Sequence, residues 1–507
     1  MDSMKIEFDS LVENKCFKVV PRPKGVNVVS SMWIYKTKEE QTTEGTLGTR
    51  KKSRPVARGF TQIEGVDYSE TYAPVVKLTS IRSILATARK KKLKLHQMDF
   101  ITAFLNGILK ELVYMEQLEG FEQGDPEHYV YLLLKSIYGL KQSPRQWYAR
   151  VDDFFVNTLG MERNDADDCV YMRSEGGHVL IIALYVDDLL IACDDMEVLT
   201  ETKRELSSRF KMKDLGESRI ILGMDICRDL DADTLSLSQS RYAQKIIDRF
   251  GMSSARGIAT PMDPALDLTA ESPPTTEPYQ SAIGSLMYLM VGTRPDLAFC
   301  VGRLAKFVSR PTELHWDCVK RVLRYLIHTK DLGLVFGGTD CELTPVVYVD
   351  ADWAGDEIDR ISMSGFVAMM DGAAVAWNAR PQEVVALSSA ESEYISMCNG
   401  CKETVWLRRL VDGLKVVPRM NEPTTMYVDN QAAMAMSESY AVNRRNKHIE
   451  TRFHFNRKAV ERGIVELEYC PTEEMVADMM TKALGRVKLQ KFRKAAGLEK
   501  SESATTQ

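Results

Sequence analysis

Residues 178–193 read HVLIIALYVDDLLIAC, two apolar runs flanking a pair of adjacent aspartates. The runs are rich in β-branched and large aliphatic residues, and each has the length of a strand. Together they predict a buried strand-turn-strand with Asp187 and Asp188 at its tip. Neither run approaches the ~18 apolar residues that a membrane helix needs. Two neighbouring carboxylates buried without a partner would be very costly. A divalent cation, which prefers hard oxygen ligands, removes that cost. Most Asp-Asp pairs lie on solvated surface turns; the apolar flanks argue against that alternative here.

A further carboxylate, Asp99, ends the short strand LKLHQMD. The segment Ser80–Lys91 before it has helical spacing, with Ser80 as N-cap and Ile81, Ile84, Leu85 and Ala88 on one face. Three carboxylates on two strand ends could hold two Mg2+ ions about 4 Å apart. Such a pair activates an attacking hydroxyl and stabilises leaving oxygens in phosphoryl transfer.

A second set of acids lies downstream. The strand at Val346–Val349 delivers Asp350, in PVVYVDADWAG. A helix is expected over 389–412, with Ser389 as N-cap and Gly413 just past its end, carrying Glu391 and Glu393. The strand TTMYVD delivers Asp429. TEEMVADMMTKALG has helical spacing, carries Asp478 and meets a stop at Gly485. Any one such acid is usually solvated charge. One acid on each of four successive elements is a different observation.

The Pro-rich stretch TPMDPALDLTAESPPTTEPY at 260–279 is the clearest linker. Residues 37–52 read as a loop or hairpin tip, and Phe336–Asp340 as a weaker boundary. Alternating helical and strand-like segments predict a mixed α/β (α+β) architecture. Ten scattered cysteines read as reduced thiols. Cys398 and Cys401 lie within a helical pattern and lack a second pair for zinc. The start MDSMKIEFDS has no signal-peptide pattern. His448 and His454 lack zinc spacing too; a structural role and a part in product release or proton transfer both stay open.

A net charge of -5, from 66 Lys and Arg against 71 Asp and Glu, argues mildly against nucleic acid as a partner. The average hides a patch. Residues 50–95 hold 12 basic residues and 3 acids, a local 12 - 3 = +9. That run flanks Asp99 and suits a phosphate backbone.

Several ordered stretches carry a resemblance: SRPVARGFTQIEGVDYSETYAPVVKLTSIR, QMDFITAFLNG, VYMEQLEGF, SIYGLKQSPRQWY and YVDD, then DADWAGD, ALSSAESEY, YVDNQAA, NKHIETRFHF and ADMMTKAL. They are similar to the copia-type (pseudoviral) retrotransposon Pol polyprotein, in its reverse transcriptase and ribonuclease H portion, from about residue 15 to 495. The resemblance implies a right-hand polymerase, with fingers and palm and a helical thumb or connection, followed by a ribonuclease H-like domain. The implied division is an N-terminal extension (1–14), fingers and palm (15–258), a linker (259–279), thumb or connection (280–340), nuclease (341–490) and a tail (491–507).

The roles it implies are these. Asp99, Asp187 and Asp188 bind metal in the palm, and Asp350, Glu393, Asp429 and Asp478 in the nuclease. The family register selects Glu393 over Glu391. Phe104 matches the steric gate that excludes a ribose 2'-hydroxyl, with plain core packing as its alternative. Arg54 and Arg58 match contacts to the incoming triphosphate, and Gln142 a nucleotide-pocket glutamine. Leu222-Gly223-Met224 lies near the primer grip. Pro55 departs from the aliphatic residue usual there and puts the register of Arg54 in question.

The implied activity is RNA-directed DNA synthesis by two-metal nucleotidyl transfer, with hydrolysis of the RNA strand of an RNA-DNA hybrid. Two Mg2+ per active site are implied, with Mn2+ as a substitute. Implied partners are an RNA template, a DNA primer, the RNA-DNA hybrid and deoxynucleoside triphosphates, together with capsid or integrase proteins of the element or a second copy of the chain. No membrane is implied. A cytoplasmic virus-like particle or the nucleus is the implied location. No Cys/His knuckle, Asp-Ser/Thr-Gly protease motif or integrase zinc module is visible, so the sequence reads as the C-terminal portion of a longer polyprotein or a truncated gene product. The residues leave open a remnant that only binds nucleic acid, and a polymerase whose nuclease is dead.

Overall fold

The computed structural model describes residues 2–41, 47–338, 341–355, 360–416, 420–438 and 450–500. His448 lies outside them. The expected hairpin is present: His178–Tyr185 pairs antiparallel with Asp188–Cys193, and the Tyr185–Asp188 pair closes a two-residue turn. Both faces of this hairpin are covered, which explains runs that are apolar throughout instead of alternating.

The hairpin sits at the centre of a six-stranded sheet. Lys94–Phe100 pairs with Asp188–Cys193 on one side, and Met212–Glu217 lies beyond it. Asp167–Glu175 and Glu162–Asn164 complete the other side. A four-stranded sheet and the long ribbon of Ser31–Gln41 with Leu47–Ala57 stand over one end, around their own apolar core. Residues 37–41 and 47–52 therefore lie in the two arms of that ribbon, as the hairpin alternative has it, and 42–46 lie outside the described residues.

Helices Tyr279–Gly292, Ala298–Ala305 and Glu313–Thr329 form the connector. The Pro-rich linker is docked along it: the His315 imidazole contacts the Leu268 carbonyl, and Met262 and Leu268 are buried. The last sheet has strand order Ala373–Pro381, Met363–Met370, Val346–Asp352, Thr424–Val428, Val465–Tyr469. Its last three strands run parallel, and helix Ser389–Gly413 packs across it.

Several boundaries differ from the sequence reading. The helix before Asp99 is Leu78–Lys90, so Ser80 lies inside it, where its hydroxyl donates to Asp167. Ser388, one residue early, caps the long helix by accepting from the Glu391 N–H. Only Asp478–Thr481 is helical in TEEMVADMMTKALG, and Gly485 caps the next helix, Arg486–Ala495, instead of stopping one. The second half of that helix and strand Leu498–Lys500 fall in the segment read as a tail. The strand pairs with Leu332–Leu334, inside a sheet built otherwise from Ile220–Ser238 and the end of the connector.

Helix Leu78–Lys90 joins the two halves. Two arginines make it unsuited to a plain apolar core, and both are buried and paired. Arg82 donates to the Val375 and Gly292 carbonyls, with its guanidinium 4.1 Å from the Trp377 ring centre. Arg89 forms an ion pair with the fully buried Asp371. One continuous apolar core runs from Val76 to Leu498, so the nuclease-like sheet is fastened to the polymerase-like one by buried polar contacts. Losing either partner of such a pair strands a charge in the interior.

Candidate active sites

The palm site follows from strand register. Asp99 is the direct partner of Asp188 across the Lys94–Phe100 and Asp188–Cys193 pairing. Asp187 stands at the tip of the adjoining turn. That turn needs a left-handed residue, and Val186 fills it with φ +55°. A β-branched residue there stores about 1–2 kcal/mol of strain. Two hydrogen bonds hold it: Trp147 Nε1–H donates to the Val186 carbonyl at 2.6 Å, and the Phe100 N–H to the Asp187 carbonyl at 2.8 Å. Burial, then Asp187, then Asp99 push the Asp188 carboxyl up to about 6, against a hydrogen bond from Gln97. A site that raises a carboxyl in this way fits a cation that would relieve it.

Around the aspartates the expected nucleotide-contact residues separate. Arg54 lies with its guanidinium 4.7 Å from the Tyr138 ring centre, and the Tyr138 ring meets Phe104 edge-on at 5.2 Å. Asp187 and Asp99 both act on the Tyr138 hydroxyl, whose pKa burial raises first. Arg54, Tyr138 and Phe104 thus form one column beside the carboxylates. Pro55 sits opposite Trp33 and leaves Arg54 in regular register with Ile34. Arg58 is exposed past the strand end and is held there through its backbone, its N–H donating to the Ser30 carbonyl.

Gln142, expected at a nucleotide pocket, is placed within the fold. It is fully buried, and both ends of its amide are used: Gln62 donates to its oxygen at 3.0 Å, and its nitrogen donates to the Asp67 carbonyl at 2.8 Å. It ties Gln62 and Asp67 to the start of helix Ser143–Asp153. Gly139 explains the tight fit nearby. Its φ is +93°, and a Cβ there would fall 2.0 Å from the Ala57 carbonyl oxygen. Tyr138 and Trp147 had no role in the sequence reading, although both lie in SIYGLKQSPRQWY; an aromatic residue in a motif gives no sign of which ring faces a carboxylate.

A cleft of about 530 Å3 opens on Asp99 and Tyr138, with Lys51 and Lys52 of the ribbon on one side. Helix Asp2–Glu13 forms its far wall. Leu222 and Gly223, both at positive φ, make a tight turn pinned by the Tyr288 hydroxyl, which donates to the Leu222 carbonyl.

The second site is more converged. Ligand atoms of Asp350, Glu393 and Asp429 all lie within 4.8 Å of one another. Asp350 comes from the strand Val346–Asp352, Glu393 from the second turn of helix Ser389–Gly413, and Asp429 from just past the end of Thr424–Val428. Glu391 points elsewhere and accepts from the Leu387 N–H at 2.9 Å, as a helix-capping group. Thr472 donates to Asp429 at 3.0 Å, and Thr481 to Asp350. Burial raises Asp350 to about 7, with Lys482 opposing the rise. Burial, Asp350 and Asp429 raise Glu393 well above the ordinary carboxylate range. Asp350 and Glu393, both buried and held above the ordinary carboxylate range, converge with the half-buried Asp429 into a donor set that a hard divalent cation fits.

Asp478 differs from expectation. It is fully buried beside this trio but outside it, because two ammonium groups already meet it: Lys482 at 2.7 Å and Lys488 at 2.6 Å. His454 is exposed on helix Glu450–Glu461. Cys398 and Cys401 are buried free thiols of the long helix.

These acids set a pH dependence. Asp350 binds a proton in the folded chain up to about pH 7, whereas its ordinary value is 3.8. Between those values the folded state holds more protons than the unfolded one, so stability falls as pH rises through the window. In EDTA the melting temperature is expected to drop between pH 5 and 8, with a shallower slope in Asp350→Asn. Added Mg2+ is expected to oppose the drop, because binding needs the ionised acids. Equal slopes for parent and variant in EDTA would contradict the raised carboxyl.

The fold and its two acid clusters define a right-hand polymerase architecture joined to a ribonuclease H-like one. The structure of a foamy viral protease-reverse transcriptase in complex with dsDNA has the same fold at a TM-score of 0.50 and 14% identity, covering 93% of this chain and 83% of that one. Residues 14–264 match the family model for reverse transcriptase (RNA-dependent DNA polymerase). The Retrovirus-related Pol polyprotein from transposon TNT 1-94 of Nicotiana tabacum is 39% identical over 98% of this chain, and that from transposon RE2 of Arabidopsis thaliana is 36% identical over 98%. This chain belongs to the copia-type retrotransposon Pol polyprotein family. It spans 38% and 34% of the length of those two relatives.

Proposed function

We propose that this chain is an RNA-directed DNA polymerase that also degrades the RNA strand of the hybrid it makes. The observation that carries the polymerase half is the register that sets Asp99 against Asp188, with Asp187 on a strained tip beside them. On this reading Asp99, Asp187 and Asp188 hold two Mg2+ ions, which would activate the primer 3'-hydroxyl and offset triphosphate charge. Arg54 and the neighbouring lysines Lys51 and Lys52 orient the triphosphate. The dsDNA in the foamy viral complex supports a nucleic-acid duplex as the ligand of this fold.

The nuclease half rests on the Asp350, Glu393 and Asp429 trio. These carboxylates would hold the metal that readies a water for attack on an RNA phosphodiester. Its choice of RNA depends on the 2'-hydroxyl. Its partners on this reading are an RNA template, a DNA primer and deoxynucleoside triphosphates, within a cytoplasmic particle or the nucleus. Primer extension on an RNA template, with and without Mg2+, tests the polymerase reading; template binding with no Mg2+-dependent extension would favour a binding remnant.

Phe104 provides a finer test. Its ring is half-buried against Tyr138, which lines the same cleft as Asp99, and on this reading it would stand where a ribose 2'-hydroxyl passes. Phe104→Ala is expected to lower discrimination against ribonucleotides by about tenfold or more while extension with deoxynucleotides persists. Unchanged discrimination in single-nucleotide incorporation assays assigns Phe104 to packing alone.

A further inference from the structure

Lys482 bridges two acids of the nuclease-like site. Its ammonium lies 3.5 Å from Asp350 Oδ2 and 2.7 Å from Asp478 Oδ1. Those carboxylates come from a strand and from a separate short helix, so the ammonium occupies the space that an ion ligated by both would need. We propose that Lys482 is a built-in competitor for the second divalent cation of this site, a positioning residue that holds Asp478 away from metal until that cation displaces it. The proposal rests on the nuclease reading above.

Three observations support it. First, the trio Asp350, Glu393 and Asp429 converges without Asp478, so one ion can be held while Lys482 stays in place. Second, charge matches: four carboxylates against the ammoniums of Lys482 and Lys488 leave a formal charge of -2, which one divalent ion neutralises. Displacing Lys482 once the first ion is bound leaves -4 + 1 + 2 = -1 for a second ion to meet. Third, Lys482 has somewhere to go. Its side chain is 36% exposed whereas Asp350 and Asp478 are 2% and 0% exposed. It also lines a cavity of about 200 Å3 that contains another carboxylate, Asp352. Lys488 meets Asp478 from the other side, at 2.6 Å.

The test is calorimetric titration of the full chain with Mn2+, in an Asp187→Asn/Asp188→Asn background that silences the palm. The parent is expected to bind one Mn2+ tightly and a second weakly. Lys482→Met is expected to tighten the second by about tenfold, since a desolvated charge no longer competes. Lys482→Arg is expected to restore the parent pattern, and Lys488→Met to leave the second site weak. Melting curves establish that each variant folds; Lys482→Gln serves if the methionine variant does not. Equal second-site affinity in parent and Lys482→Met overturns the proposal. So does an equal gain in Lys488→Met, which would reduce the effect to net charge. Absence of any Mn2+ binding in all variants overturns it together with the nuclease reading, whereas a single unaltered tight site overturns it alone.

Discussion

Replacing Asp187 and Asp188 together with asparagine is expected to abolish DNA synthesis, by roughly 10³-fold or more, while leaving hybrid cleavage intact. The substitution keeps size and hydrogen bonding but removes two of three charges that face one another at the strand ends. Folding is expected to survive, because Asp188 already resists ionisation, with its carboxyl pushed up to about 6 by burial and by its two neighbours. The variant relieves that repulsion, so its melting temperature in EDTA should equal or exceed the parent's. Gel-resolved primer extension checks the activity. Synthesis at parental rate would show that the three aspartates are not the metal ligands.

The complementary expectation concerns Asp350. Asp350→Asn should lower cleavage of the RNA strand by roughly 10³-fold and leave primer extension near the parental rate. Asp350 sits at the centre of its site. It belongs to the carboxylate trio, accepts from Thr481 and faces Lys482. An amide in its place gives metal a weaker ligand and leaves Lys482 only Asp478 as a close partner. A labelled RNA strand, followed during synthesis, reads the result. Cleavage that persists would remove the trio from the chemistry. Extension that falls as steeply as cleavage would show instead that the buried contacts across helix Leu78–Lys90 couple the halves.

The palm hairpin was legible because its signal is local. Apolar runs of eight and five residues and a charged tip leave one solution, and the two-residue turn at Val186-Asp187 follows it. The positions of Asp350 and Asp429 were legible for the same reason, each following a short apolar run, although the strand of Asp350 continues to Asp352. Glu393 needed the family register, since the helix periodicity alone does not separate it from Glu391, which caps the helix. Gln142 was not legible because its partners are distant in sequence. Gln62 lies 80 residues from Gln142, and only the fold brings it there. Lys482 is one turn from Asp478, yet its reach to Asp350 spans separate elements. The C-terminal strand was hidden altogether: three short residues, Leu498–Lys500, acquire meaning only beside Leu332–Leu334.

The -5 net charge, which by itself speaks against nucleic acid, has a different meaning once mapped. Part of the acid surplus is concentrated at the two carboxylate clusters, and Lys51, Lys52 and Arg54 of the basic run line or border the palm cleft. Charge of both signs is therefore placed where a metal-dependent reaction on phosphates would use it.

The central claim is that one chain carries both sites. A single reaction tests it most directly: an RNA template and DNA primer carrying different labels, incubated with the chain and deoxynucleoside triphosphates, with Mg2+ or with EDTA, and resolved on one gel. The expected result is that the primer lengthens and the RNA shortens with Mg2+ and that neither changes in EDTA. A primer and template that both stay at full length in Mg2+, with the chain folded and bound to them, would contradict it.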